Sequence, residues 1–172
     1  RDIDRFFTLD PSQEEPLPPC QVVTSVTDIP KKFWKENHII LDIETSGLEY
    51  SDTIHFIGLY APGMNQVYIL KGEPIDNYQL DAMARVLPEG AHLILHNAKF
   101  DLGMLASKSP GWMKYMNVAD TMLLAHNAGE KTKSLKHLMT MYTNLAGSRG
   151  AGDVHSVDYL VQDLVGTWQI YQ

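Results

Sequence analysis

Cysteine is almost missing from this chain. Cys20 stands alone in 172 residues, which excludes an internal disulfide or a thiolate zinc cluster and suits a reducing compartment. The seven histidines are scattered, and the one H-x-x-x-H pair, His92 and His96, spans an expected strand rather than a helix, so a histidine-held zinc is not expected either. No apolar run approaches the length of a membrane span, and no secretory leader is visible, so no membrane partner is expected. Positive charge is scarce as well. Fourteen Lys and Arg face 21 Asp and Glu, a formal net charge of −7. Phosphate binding draws on Lys and Arg, so a broad basic nucleic-acid surface is not on offer. Part of the deficit is local, because Asp2, Asp4, Asp10, Glu14 and Glu15 lie in the first fifteen residues.

What is present fits one soluble globular domain, with 44% hydrophobic and 20% charged residues. Residues 1–20, acidic and then rich in proline (Pro11, Pro16, Pro18, Pro19), read as an arm or linker, leaving residues 21–172 as the domain. The first residue is Arg1 rather than Met, as expected of a fragment or a processed chain. Strands are expected at Val22–Val26, His38–Glu44, Ile54–Tyr60, Gln66–Leu70, His92–Leu95 and near Tyr115–Ala119. Helices are expected from Asp28 towards Trp34, over Asp76–Leu87, from Ala98 towards Ala106, and over Thr121–Asn127, Leu135–Tyr142 and Val157–Tyr171. Consecutive strands followed by alternating helix and strand predict an α/β fold with a mixed sheet flanked by helices. Met104, Met113, Met116, Met122, Met139 and Met141 read as core filler. The glycine-rich stretch Gly147–Gly152 lacks the ending of a phosphate loop and reads as a connector, with Arg149 a candidate phosphate contact.

The informative residues are acidic. Asp42 and Glu44 interrupt the apolar run of Ile39, Ile40, Leu41 and Ile43, which reads as a buried strand. A carboxylate withdrawn from water without a partner costs on the order of several kcal/mol. No Lys or Arg lies within five residues of Asp42 on its C-terminal side, so a divalent cation is the natural partner. Residues two apart on a strand share a face, so Asp42 and Glu44 point to one spot. Asp101 follows His96-Asn97 in the first turn of a helix, and Tyr159 and Asp163, four apart, share a helical face. Each piece has a plainer reading: an exposed strand-edge acid, a helix start with Asn97 as N-cap and Asp101 in the first turn, a solvated Y-x-x-x-D. Two strand acids and two helix acids are nevertheless what a pair of hard cations with oxygen ligands requires.

In this order, DIETSGL, HNAKFD and YLVQD resemble the three exonuclease motifs of the DEDD superfamily of 3′–5′ exonucleases. The histidine branch of that superfamily places His five residues before the last acid, where this chain has Asp158. The tyrosine branch uses four, which is Tyr159. Within that branch the chain is most similar to the proofreading domain of family A DNA polymerases, including phage versions. The likeness covers about residues 38–172 and takes in ADTMLLAHNAG and SLKHLMTMY. It implies a ribonuclease-H-like fold and two Mg²⁺ or Mn²⁺ ions held by Asp42, Glu44, Asp101 and Asp163. In that scheme Asp42 bridges the ions, Glu44 and Asp163 hold the one that carries the attacking water, and Asp101 helps place the other. Tyr159 completes the catalytic set by orienting that water. Thr45, Leu48, Asn97 and Phe100 match the positions that contact substrate, Leu48 as a wedge and Phe100 by stacking. For Leu48 and Phe100 the alternative is ordinary core packing. His96 reads as a supporting residue, Asp120 as a helix N-cap rather than a fifth ligand, and Asp153 and Asp158 as understudies.

The implied activity is hydrolysis of phosphodiesters from the 3′ end of single-stranded or frayed DNA, releasing nucleoside monophosphates during proofreading. An exoribonuclease of the ribonuclease D type and a catalytically inactive nucleic-acid-binding module are the alternatives. A polymerase, following in the same chain or separate, is the expected partner, in the cytoplasm of a bacterium or a phage-infected cell. With so few cations the isolated chain is expected to hold DNA weakly and to rely on that partner for delivery. Its cleavage rate should fall only gently with added salt, and a steep fall would contradict this expectation.

Overall fold

A computed structural model describes residues 16–114, 118–129, 134–142 and 157–172. Six strands form one sheet: β1 (Cys20–Val23), β2 (Ile39–Thr45), β3 (Ile54–Ala61), β4 (Gln66–Lys71), β5 (Leu93–Leu95) and β6 (Val118–Asp120). Their spatial order is β1-β4-β3-β2-β5-β6. The β2–β3 and β3–β4 pairs are antiparallel, while β1–β4, β2–β5 and β5–β6 are parallel, so the sheet is mixed as expected. The helices are α1 (Asn77–Val86), α2 (Ala98–Lys108), α3 (Thr121–Asn127), α4 (Leu135–Tyr142) and α5 (Val157–Tyr171).

Strand alternation divides the core in two. The odd residues of β2, Ile39, Leu41 and Ile43, join Ile57, Leu59 and Leu70 under Leu80, Met83, Met104, Leu105 and Trp112. Ile40, on the even side, packs with Tyr60, Val67, Ile69 and Ile94 against Leu160, Val161, Leu164 and Val165 of α5. Asp42 and Glu44 share the parity of Ile40 and therefore face α5. Asp42 lies opposite Gly58 in the β2–β3 ladder. A Cβ on Gly58 would come within 2.8 Å of Leu164 Cδ1 and 3.0 Å of Leu160 Cγ. A bare backbone here is what lets α5 settle onto the sheet beside the acid.

Some expectations shift. The first strand is Cys20–Val23 rather than Val22–Val26, because Ser25 Oγ accepts from Thr27 N and Val26–Asp28 coil into a 3₁₀ turn that buries Val26. The helix towards Trp34 is a 3₁₀ turn over Lys31–Lys35, starting after Pro30. A further 3₁₀ helix, Pro110–Lys114, was not anticipated; it seats Trp112, whose Nε1 donates to Leu80 O at 3.0 Å. Met104 and Met139 are core residues, but Met113 is 69% exposed, on the outer side of that 3₁₀ helix from Trp112. The last strand begins at Val118, with residues 115–117 outside the described set, as are Met116, most of the proposed arm and the Gly147–Gly152 connector with Arg149.

Filling the space over Gly58 has a calculable effect. Gly58→Ala must displace Leu160 or Leu164 and should destabilise the fold by about 1–3 kcal/mol, a typical cost of overpacking. Thermal unfolding checks this; an unchanged midpoint would mean that α5 does not rest on Gly58.

Candidate active site and metal centre

Because β2, β5 and β6 run parallel, their carboxyl ends lie along one edge of the sheet, where sites in open α/β sheets are found. Asp42 and Glu44 leave the end of β2, Asp101 sits in the first turn of α2 just after β5, and Asp120 closes β6. From the face above, α5 brings Asp163. Carboxylate oxygens of Asp42, Glu44 and Asp163, one from each, lie within 4.8 Å of one another. Asp101 joins them through a side-chain hydrogen bond to Asp42. The four predicted acids therefore meet in space.

Their environment is what a cation site demands. Asp101 is 4% exposed and Asp163 6% exposed. Burial pushes the Asp101 carboxyl well above the usual carboxylate range; the charge of Asp42, the hydrogen bond to it, and the charges of Glu44 and Asp120 push the same way. Oδ2 of Asp101 is buried with no hydrogen-bond partner. Hard oxygen donors in this number suit Mg²⁺ or Mn²⁺, and the unsatisfied Oδ2 is an atom a cation would satisfy. Among the described residues no thiolate or histidine joins the cluster.

Tyr159 is half-buried one helical turn before Asp163. Asp158 is exposed on α5, away from the acids, and Asp153 falls outside the described residues. Three of the four proposed substrate contacts, Leu48, Asn97 and Phe100, line one cleft of about 380 Å³ together with Glu49, Tyr50 and Lys99. Leu48 is 83% exposed, so it is not a core residue, whereas Phe100 is half-buried against the core. Thr45 lies at the irregularity that ends β2, donating its hydroxyl to Gly47 O at 2.6 Å.

The loop that carries Leu48 is built to hold one shape. Asp52 accepts from Glu49 N at 2.9 Å and from Ser46 Oγ at 3.1 Å, and Thr53 N donates to Ser46 Oγ at 3.0 Å. Tyr50 lies against Gly103 of α2, where a Cβ would collide with its ring, and Lys108 Nζ donates to Tyr50 O at 3.0 Å. Asn97, the residue before α2, is in the left-handed region (φ 64°) and its side chain does not cap the helix. That job falls to Asp120, which accepts from the amides of Asn97 and Ala98, each at 2.9 Å. Asp120 also caps α3, as expected, through Met122 N at 2.9 Å. His96 supports the same junction, its Nδ1 lying 2.8 Å from Thr121 Oγ1.

A family model described as 3′–5′ exonuclease, of the DNA polymerase A type, matches residues 23–170. The chain belongs to the 3′–5′ exonuclease family. It is an enzyme of that class, and its fold is ribonuclease-H-like. Solved structures agree on the fold. Brucella melitensis NrnC bound to pGG superposes with a TM-score of 0.65 at 15% identity, over 89% of this chain and 76% of NrnC. The catalytic core of Trypanosoma brucei RRP6 gives 0.66 at 15% identity, over 98% of this chain and 53% of that one. Trypanosoma brucei RNase D in complex with RNA U12 gives 0.67 at 12% identity, covering 89% and 61%. No curated protein matches by sequence. Exonucleases of this family use divalent metal ions, and the acidic cluster of this chain is suited to them.

The raised affinity of Asp101 for its proton has a consequence for stability. The folded chain binds that proton more tightly than the unfolded chain does. Stability from this group is therefore complete below the ordinary carboxylate range and declines as pH climbs towards the raised value. At neutral pH without metal, Asp101→Asn should raise the melting temperature by about 2–4 °C for each kcal/mol relieved. The same variant should lose much of the rise that Mn²⁺ gives the parent. Melting curves in chelator and in Mn²⁺ decide it: a variant less stable than its parent in chelator would assign Asp101 a structural role.

Proposed function

We propose that this exonuclease removes nucleotides from the 3′ end of single-stranded or frayed DNA with two Mg²⁺ or Mn²⁺ ions, and that it serves proofreading. The observation that carries the reading is the meeting of Asp42, Glu44 and Asp163 within 4.8 Å, with Asp101 hydrogen-bonded to Asp42. Asp42, Glu44, Asp101 and Asp163 would hold the ions. Bound divalent ions make water a nucleophile near neutral pH and neutralise charge on the leaving oxygen. The phenol of Tyr159 orients that water; with a reference pKa of about 10 it is a poor base near neutrality. Thr45 lines the approach beside Glu44. Asn97 holds the terminal nucleotide, Phe100 stacks on its base with about 1–3 kcal/mol, and Leu48 wedges against it. Residues 21–172 make up the catalytic domain in this scheme. The net charge of −7 supports delivery of the DNA end by a polymerase, in the same chain or separate.

A second reading has its own support. The fold is shared with an RNase D seen with RNA U12 and with NrnC seen with pGG, which favours a 3′–5′ exoribonuclease. Oligonucleotides differing only in the terminal 2′-hydroxyl separate the two, because that group is what distinguishes RNA from DNA at one site. Faster release from the deoxy end supports the DNA reading, and faster release from the ribo end overturns it.

Asp42→Ala should lower Mg²⁺-dependent release of nucleoside monophosphates by orders of magnitude and leave the melting temperature unchanged or higher, since it relieves repulsion. Tyr159→Phe should be milder. Near-normal release by Asp42→Ala would defeat the metal scheme, and unfolding would make Asp42 structural.

A further inference from the structure

The β6–α3 junction does something the proposed chemistry does not use. Three backbone amides converge on the carboxylate of Asp120: Oδ1 accepts from Asn97 and Met122, and Oδ2 from Ala98, all at 2.9 Å. The first helical amides have no partner inside their own helix and are normally met by the N-cap side chain. For α2 the N-cap is Asn97, whose side chain makes no such bond. A carboxylate from a neighbouring strand takes its place, reaching across because Asp120 pairs with Leu95 in the β5–β6 ladder.

The choice of residue is informative. A fifth acid beside Asp101 adds to the repulsion there, and its charge helps to push the Asp101 proton affinity up. A neutral cap would avoid that penalty. An amide side chain, however, has one acceptor oxygen, whereas this junction presents three donors to two. Three of the roughly four lone-pair sites of the Asp120 carboxylate are committed to amides. The held segment is also the one that matters. Asn97 O accepts from Phe100 N at 3.1 Å and from Asp101 N at 3.4 Å, so the turn that Asp120 grips is the turn that bears Phe100 and Asp101.

We propose that Asp120 is a positioning residue: by gripping the left-handed turn at Asn97 and the amide of Ala98, it aims Asp101 at Asp42 and sets Asn97 and Phe100 in the substrate cleft. The role rests on the reading of the four acids as a metal site. Partners that orient metal ligands are typically worth 10–100-fold in metal affinity or activity.

The test is Mn²⁺ binding by calorimetry on the whole chain, with the rate of 3′-end cleavage and amide exchange at Asn97 and Ala98 read alongside. Asp120→Ala should weaken Mn²⁺ binding and kcat by about 10–100-fold and speed exchange at both amides. Asp120→Asn, which keeps one acceptor, should fall in between and remains readable if the alanine variant does not fold. Asp76→Ala removes a cap of similar kind from α1, a helix that bears none of the four acids, where Asp76 Oδ1 accepts from Gln79 N at 2.9 Å. It should lower the melting temperature while leaving Mn²⁺ affinity as it was. If the parent binds Mn²⁺ and both Asp120 variants bind it equally well, the positioning role is overturned and the metal site stands. Equal loss of Mn²⁺ affinity in Asp76→Ala would also overturn it, reducing Asp120 to a source of general stability. A parent chain that binds no Mn²⁺ would overturn the metal site and this role together.

Discussion

Like charges brought together out of water are the constraint around which this molecule is organised. Asp42, Glu44, Asp101 and Asp163 repel one another, and Asp101 and Asp163 are nearly shut off from solvent. Left to themselves such groups would part or take up protons. The raised proton affinity of Asp101, from its burial and then from the charge of Asp42 and the hydrogen bond to it, is the sign of that strain without a cation, and binding of a divalent ion converts the same repulsion into attraction. Everything else at the sheet edge can be understood as a frame that keeps the acids from moving apart.

The frame is apolar where it can be and hydrogen-bonded where it must be. Two cores, one on each face of the sheet, fix β2 between α1 and α2 on one side and α5 on the other. The absent side chain at Gly58 sets how close α5 comes, and therefore how far Asp163 stands from Asp42. At the other end of the cluster, backbone amides locked onto Asp120 determine where α2 starts. One acid is placed by a void and another by a clamp.

Much of this was legible in the sequence, and the exceptions have physical causes. Periodicity located β2 and α5 and gave the face on which Asp42, Glu44, Tyr159 and Asp163 lie, because side-chain direction follows from strand and helix geometry alone. It could not reveal Gly58, since the significance of that glycine depends on ladder register with Asp42. Asp120 was recognisable as the cap of α3 but not as the clamp on α2, because that role arises only when β6 lies beside β5. The first strand was shifted because Val26, apolar and β-branched, is buried from a 3₁₀ turn rather than a strand. Core packing was the alternative for Leu48 in isolation, and its exposure rules that out.

The loop between β2 and β3 shows how a small surface element can be prepared for its encounter. Asp52, Ser46 and Thr53 knit it from within, while Tyr50 moors it to α2. Freezing a flexible side chain or loop at the moment of binding costs about 0.5–1.5 kcal/mol per rotamer-rich group. In this loop the ordering is completed during folding, so Leu48 is already held out before anything binds. Preorganisation of that kind spares the cleft beside Leu48 the entropy loss that a mobile rim would incur on binding.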